Sequence, residues 1–177
     1  MSTPHDFFRL NVGFIIHQTV GYSRDFPLDA PSVTLLPDLE LINLAGEARV
    51  TRAAQGLLVQ VKLAALTHAA CARCLEDCLT PLETEFTELY AFTPAQAAES
   101  GFLVPESGKI DLEPLVRDEM LLAVPINSLC RPDCRGLCPV CGENLNTSAC
   151  EHNETPMDSR LEALYSLLGG GEDRSEQ

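Results

Sequence analysis

Between residues 41 and 92 the chain alternates hydrophobic and polar positions at the period of a half-buried strand. In 56-GLLVQVKLAALTHAA-70, Leu57, Val59, Val61, Leu63 and Ala65 share one parity, and Gln60 and Lys62 take the other. Successive strand side chains point to opposite faces, so the odd positions predict a core-facing row. The preceding run, 41-LINLAGEARVTR-52, is separated from it only by Ala-Ala-Gln, and the pair predicts a hairpin. A third run, 81-PLETEFTELYAF-92, places Leu82, Phe86, Tyr90 and Phe92 on one face with Glu83 and Glu85 opposite. The three runs predict an antiparallel meander.

The flanking segments read differently. The stretch 7-FFRLNVGFIIHQTVGYSRDFPL-28 suggests a strand, a short helix from Val12 to Gln18, and a strand from Tyr22. Residues 29–38, with Pro31 and Pro37, read as a loop, as do residues 93–108, with Pro94, Gly101, Pro105 and Gly108. In 111-DLEPLVRDEMLLAV-124 the period becomes helical. Asp111 is placed to cap this helix, Glu113 favours its positive end, and Pro125 stops it. Leu112, Leu115, Val116, Glu119, Leu122 and Ala123 fall near one face. A last short helix is predicted over 158-DSRLEALYSLL-168, before Gly169-Gly170-Gly171 and a tail that reads as disordered. No internal repeat is evident. The expected fold is α+β: an antiparallel meander or barrel-like sheet with a few short helices. Residues 1–129 would form the β-rich core domain with its closing helix, and residues 130–177 a cysteine-rich zinc-knuckle module.

Charge narrows the partners. The formal net charge is −14, and residues 71–129 carry eleven acidic side chains against three basic ones. Nucleic-acid affinity comes mostly from Lys and Arg displacing counterions from phosphates, so tight binding to bare RNA is not expected. A basic protein is the simpler partner. Glu83, Glu85 and Glu88 are candidates for its docking surface, although a merely solvated face has the same signature. The start, MSTPHDFFRL, lacks the features of a secretory signal, and no run of about 18 apolar residues exists to span a membrane. The protein is read as soluble and cytoplasmic, where closely spaced cysteines hold metal more often than they form disulfides.

The cysteines supply the chemistry. The stretch 130-CRPDCRGLCPVCGENLNTSACEH-152 holds five cysteines and a histidine, and 71-CARCLEDC-78 holds three more cysteines. Cys138-Pro-Val-Cys141 followed by Gly142 is a zinc-knuckle pattern, in which two intervening residues let both sulfurs reach one metal while the backbone turns beneath it. Several groupings can complete a tetrahedron. Cys138 and Cys141 can join Cys150 and His152, or they can join Cys130 and Cys134. Cys71 and Cys74 form another knuckle-like pair. Without Cys78, the eight ligands Cys71, Cys74, Cys130, Cys134, Cys138, Cys141, Cys150 and His152 would satisfy two zinc ions, and one zinc with spare thiols is the plainer possibility. Thioredoxin-like chemistry would need a helix after Cys141, and Gly-Glu-Asn-Leu-Asn is poor helix material. Zinc deaminases place His-x-Glu before Pro-Cys-x-x-Cys, whereas His152-Asn-Glu154 follows the cysteine pair and the proline lies inside it.

The chain resembles the YceD family, the large ribosomal RNA subunit accumulation proteins. The likeness lies in 71-CARCLE-76, 110-IDLEPLVRDEMLLAVP-125, 130-CRPDCRGLCPVCGENLN-146 and 158-DSRLEAL-164, and more loosely in the hairpin. By position, Cys71 and Cys74 match the family's first cysteine pair, and Cys130, Cys134, Cys138 and Cys141 its second cluster. The family often closes with Cys-x-Cys, where this chain has His152, and its final motif often reads Asp-Pro-Arg, where this chain has Ser159. The resemblance implies a role in the build-up of large-subunit ribosomal RNA, without enzymatic activity. The expected protein is a ribosome-assembly factor that binds a basic ribosomal protein or a pre-large-subunit particle. The alternative is a zinc- or thiol-dependent enzyme, or a redox sensor, using the Cys-x-x-Cys pairs.

Overall fold

A computed structural model describes residues 7–35, 37, 39–150 and 152, without the side chains of residues 98–100. The helix expected over residues 158–168 and the tail after it lie outside the described residues. In chain order the elements are β1 (Arg9–Asn11), α1 (Gly13–Ile16), β2 (Ser23–Pro27), β3 (Ala30–Leu35), β4 (Leu39–Arg52), β5 (Gly56–Ala70), β6 (Asp77–Ala91), α2 (Pro94–Ser100), β7 (Phe102–Leu103), β8 (Lys109–Asp111) and α3 (Glu113–Ala123).

The meander is present. β4 pairs antiparallel with β5, and β5 with β6 from Gly56↔Ala91 to Ala70↔Asp77. All five odd positions of β5 named above are buried, as are Leu82, Phe86 and Tyr90 of β6. They form one face of the core. Its other side is covered by Phe8, Leu10, Val12 and Ile15 from the N-terminal segment and by Ile110, Leu112, Val116 and Met120 around α3.

β4 keeps its own buried row by a bulge. Its buried positions are Leu39 and Leu41 and then Leu44, Ala48 and Val50, a change of parity. The pairing steps from Ile42↔Leu66 to Ala45↔Ala64, so three residues of β4 oppose two of β5. Asn43, at φ 52°, absorbs the extra residue. Asparagine tolerates the left-handed region better than most side chains. Because side chains alternate with period two, one inserted residue returns both halves of the strand to the same face.

Four expectations are corrected. The sheet is open rather than barrel-like: its order is β2-β4-β5-β6-β7, with β3 sharing the edge of β4 that β2 occupies. Closure would require the two edges to pair, and β7 is a two-residue strand running parallel to β6. Residues 30–35 form a strand despite Pro31, because β3 lies on an edge, where a missing N–H is tolerated, and it buries Val33 and Leu35. The expected loop 93–108 contains α2, with Pro94 in its first turn and Gly101 at φ 78° closing it through a 2.8 Å bond from its N–H to the Ala97 carbonyl. In α3 the buried stripe runs Leu112, Val116, Met120 at i, i+4 spacing, so Leu122, about 200° further round than Met120, is 80% exposed. Asp111 does serve that helix, accepting a hydrogen bond from the Glu113 N–H at 3.0 Å.

Candidate metal centre

The turn from β5 to β6 is the first half of the site. The Cys71 N–H donates to the Glu76 carbonyl at 2.9 Å, and the Leu75 N–H donates to the Cys71 carbonyl at 2.9 Å. Leu75 takes φ 61° to close it. Sixty-seven residues later the same turn recurs. The Cys138 N–H donates to Glu143, the Gly142 N–H donates to Cys138, and Gly142 takes φ 75°. Residues 71–76 and 138–143 are therefore two copies of one Cys-x-x-Cys-x-Glu turn. The sequence reading missed this repeat because its left-handed position is glycine in one copy and leucine in the other.

The sulfurs gather into two groups of four ligands. Cys71, Cys74, Cys130 and Cys134 form one, and Cys138, Cys141, Cys150 and His152 the other, with the ligand atoms of each within 4.8 Å of one another. Each group could hold a metal ion. In the first, Cys71 and Cys134 Sγ lie 3.8 Å apart and Cys74 and Cys130 Sγ 3.6 Å apart. In the second, Cys150 Sγ is 3.4 Å from Cys138 Sγ, 3.5 Å from Cys141 Sγ and 3.0 Å from His152 Nδ1. A tetrahedral ion with metal–sulfur bonds of about 2.3 Å has sulfur–sulfur edges of about 3.8 Å, whereas a disulfide needs about 2.05 Å. All eight cysteines are free, and the sulfur spacings fit coordination. Of the groupings that spacing allowed, the structure joins Cys130 and Cys134 to the distant Cys71 and Cys74, and leaves Cys138 and Cys141 to Cys150 and His152. Cys78 stands apart from both groups, its thiol toward the Ala69 carbonyl at 3.3 Å.

The groups differ in setting. In the first, Cys71, Cys74 and Cys134 are buried and Cys130 is exposed; in the second, Cys138 is buried and Cys141 and His152 are exposed. Both hold one thiol well below its ordinary range. Cys71 falls to about 6 because the N–H groups of Cys130, Cys74 and Arg73 point at its sulfur. Cys138 falls to about 6 through the N–H groups of Cys141 and Val140. Cys130 is pushed up to about 12 by desolvation and by the neighbouring thiols of Cys134, Cys74 and Cys71. Cys150, although the His152 N–H favours its thiolate, rises to about 11 through desolvation and the thiols of Cys138 and Cys141. Four crowded thiols cannot all ionise unaided, and a bound cation is what would displace the remaining protons.

Residues that the sequence reading did not single out support the ligands. Asn146 Nδ2 donates to Cys134 Sγ at 3.3 Å, and its Oδ1 accepts from the Arg135 N–H at 2.8 Å and from Arg131 Nη2 at 2.7 Å. Asn144 Nδ2 donates to Glu76 Oε1 at 2.9 Å. Arg73 Nη1 donates to the Cys134 carbonyl at 2.8 Å. Gly136, at φ 77°, lets the second segment press against the first turn: a Cβ there would lie 3.0 Å from the Arg73 carbonyl oxygen. Asparagine and glycine are ordinary turn residues, so only the fold distinguishes these positions.

The acidic candidates separate. Glu83 and Glu85 are exposed on the sheet face away from the core, and Glu85 pairs with Lys62 at 2.9 Å. Glu88 shares the parity of Phe86 and Tyr90 and is half-buried.

The family model described as large ribosomal RNA subunit accumulation protein YceD matches residues 59–168, a span that contains all eight ligands. The chain belongs to the YceD family. An uncharacterized protein of Mycobacterium tuberculosis (strain ATCC 25618 / H37Rv) is 34% identical over 164 residues, covering 88% of this chain and 74% of that protein. The uncharacterized protein YlbN of Bacillus subtilis (strain 168) is 31% identical over 100 residues, 55% of this chain and 58% of its own length. A chloroplastic protein of Zea mays, named large ribosomal RNA subunit accumulation protein YCED homolog 1, is 42% identical over 41 residues, 23% of this chain and 14% of that protein. No solved structure matches. Among the described residues of this YceD family member, no helix is long and apolar enough to cross a membrane.

Proposed function

We propose that this chain is a non-enzymatic ribosome-assembly factor, which supports accumulation of large-subunit ribosomal RNA by binding a basic ribosomal protein or a pre-large-subunit particle. Both four-ligand groups hold zinc in this reading. The observation that carries it is the closed character of the two groups within a YceD family chain. Each already has four protein ligands, which suits a structural ion and leaves no coordination position for a reacting water. A thiol enzyme needs an accessible thiolate. Here the three lowered thiols, Cys71, Cys134 and Cys138, are 0%, 2% and 3% exposed. Zinc is the expected ion because thiolate and imidazole ligands in tetrahedral sets select it over the hard divalent cations.

The net charge of −14 favours a Lys/Arg-rich protein surface over bare RNA. Pull-down from cell extract at moderate salt, read by mass spectrometry, tests the reading: large-subunit ribosomal proteins or particles are the expected catch. If the sheet face carries docking, replacing Glu83 and Glu85 with Gln leaves the fold intact, slows association severalfold and flattens its salt dependence. Glu88→Gln, a change on the opposite face, leaves the rate unaltered. An association rate for the double variant equal to the wild type across a salt series would move docking to the cysteine-rich segment.

A further inference from the structure

The two ligand groups share a hydrogen-bonded connection. The segment that carries Cys138 and Cys141 is fastened to the first group at three points, two on its turn and one on a ligand beyond it: the Leu137 N–H donates to the Arg73 carbonyl at 3.1 Å, Asn144 Nδ2 to Glu76 Oε1 at 2.9 Å, and Asn146 Nδ2 to Cys134 Sγ at 3.3 Å. The same two asparagines organise the segment itself. The Asn146 N–H and Nδ2 both donate to Asn144 Oδ1, and the Asn144 carbonyl accepts from the Thr147 and Ser148 N–H groups at 3.1 Å.

The halves of this arrangement are not equally prepared. Cys71 and Cys74 sit on a turn that closes a fifteen-residue strand pairing, so the packed sheet holds them in place whether or not a metal is bound. The second group draws every ligand from residues 138–152, where the described strand-like pairing is the single bridge Leu137↔Asn144. Its order therefore depends on what that segment rests on, and it rests on the first group.

We infer that the two sites load in order and cooperatively: the sheet-anchored Cys71/Cys74/Cys130/Cys134 group takes the first metal, and this assembles the Cys138/Cys141/Cys150/His152 group for the second, with Asn144 and Asn146 as the positioning residues that carry the coupling. The inference rests on the reading that both groups hold metal. Metal binding at the first group draws Cys130 and Cys134 onto the sheet's turn. The Cys134 sulfur is then a thiolate, and the bond it accepts from Asn146 becomes charge-assisted. That bond and the Asn144–Glu76 bond set the backbone from which the second knuckle projects. Linkage makes the effect mutual, so metal at the second group also tightens the first.

The test is titration of the metal-free full chain with Co(II) under a non-chelating reductant, following thiolate-to-cobalt charge-transfer and ligand-field absorption. The first equivalent is expected to give an all-thiolate spectrum, and the second to add that of a three-thiolate, one-imidazole site. In Cys71→Ser/Cys74→Ser the remaining site should bind about tenfold or more weakly than the second equivalent of the intact chain, as for the loss of one or two net hydrogen bonds. Because that variant also disturbs the β5–β6 turn, Asn144→Ala/Asn146→Ala provides the cleaner comparison. It keeps all eight ligands and should still take two equivalents with an unchanged far-ultraviolet dichroism spectrum, but with the second about tenfold weaker. An imidazole-containing site that fills first would overturn the inference, as would a second affinity that the asparagine changes leave intact. Two equivalents bound independently sink the coupling alone, whereas no uptake at either group sinks the metal reading beneath it.

Discussion

Stripping metal from the intact chain with a strong chelator is expected to release the segment 130–152 while the strands between residues 39 and 91 remain folded. Structural zinc contributes on the order of 10–16 kcal/mol in small peptides, against about 5–15 kcal/mol for the stability of a whole domain. The segment has little else to hold it. Cys134 and Cys138 are buried, but Cys130, Arg131, Asp133, Arg135 and Cys141 are exposed. The sheet keeps its own core of Leu57, Val59, Val61, Leu82 and Phe86 whether or not metal is present. Amide hydrogen exchange should show the split directly, with fast exchange after chelation at residues 130–152 and retained protection in β5. Acid should act in the same direction, because protons compete with metal for the thiolates, and stability contributed by the metal is lost as pH falls. Cys78→Ser should change neither metal content nor protection. Protein purified without chelator that contains no metal, or a segment whose protection ignores chelation, would refute the expectation.

Deleting Asn43 is expected to cost about 3–6 kcal/mol. Without the extra residue, β4 cannot place Leu39 and Leu41 on the same face as Leu44, Ala48 and Val50, and one set must turn to solvent. Exposing each buried leucine costs about 1.5–3 kcal/mol, so the loss of Leu39 and Leu41 alone accounts for the range. Asn43→Gly is the companion: glycine reaches φ 52° without strain, and its effect should stay within about 1 kcal/mol. Urea denaturation with an unchanged slope would measure both. A deletion that shifts the midpoint no more than the glycine variant would show that the strand has another way to realign.

Legibility in the sequence followed burial. β5 and β6 could be read from their letters because each has one wet face and one dry face, so the period-two pattern is written out in Val59, Gln60, Val61 and Lys62. β4 could be recognised as a strand, but its bulge could not, since Leu41, Ile42 and Leu44 are apolar on both parities and no glycine marks the irregularity. β3 was hidden by Pro31 and Pro37, which signal a loop unless the strand is known to be an edge. The helix at Pro94 was hidden by the same habit, although proline at a helix start and Gly101 beyond its end are themselves a helix signature. At the ligand groups, residue type and spacing identified all eight candidates, yet spacing allowed more than one partition. The pairing of Cys71 and Cys74 with Cys130 and Cys134 is set by the sheet's topology, and no local pattern encodes it. The positions of Asn144 and Asn146 were invisible for a related reason, as their partners, Glu76 and Cys134, lie on other turns.

The contact between Cys74 and Cys130 joins points 56 residues apart along the chain. An ion held there would act as a mechanical fastener, turning everything from β6 through α3 into a closed ring. Tension applied at the two ends of the molecule would run through the fastener and bypass the ring, keeping roughly 190 Å of extended contour length out of play. Unlike a disulfide, this clasp opens to a chelator or to acid and has no bond that a non-chelating reductant can cleave. How far the chain can be drawn out would thus be set by the metal supply around it.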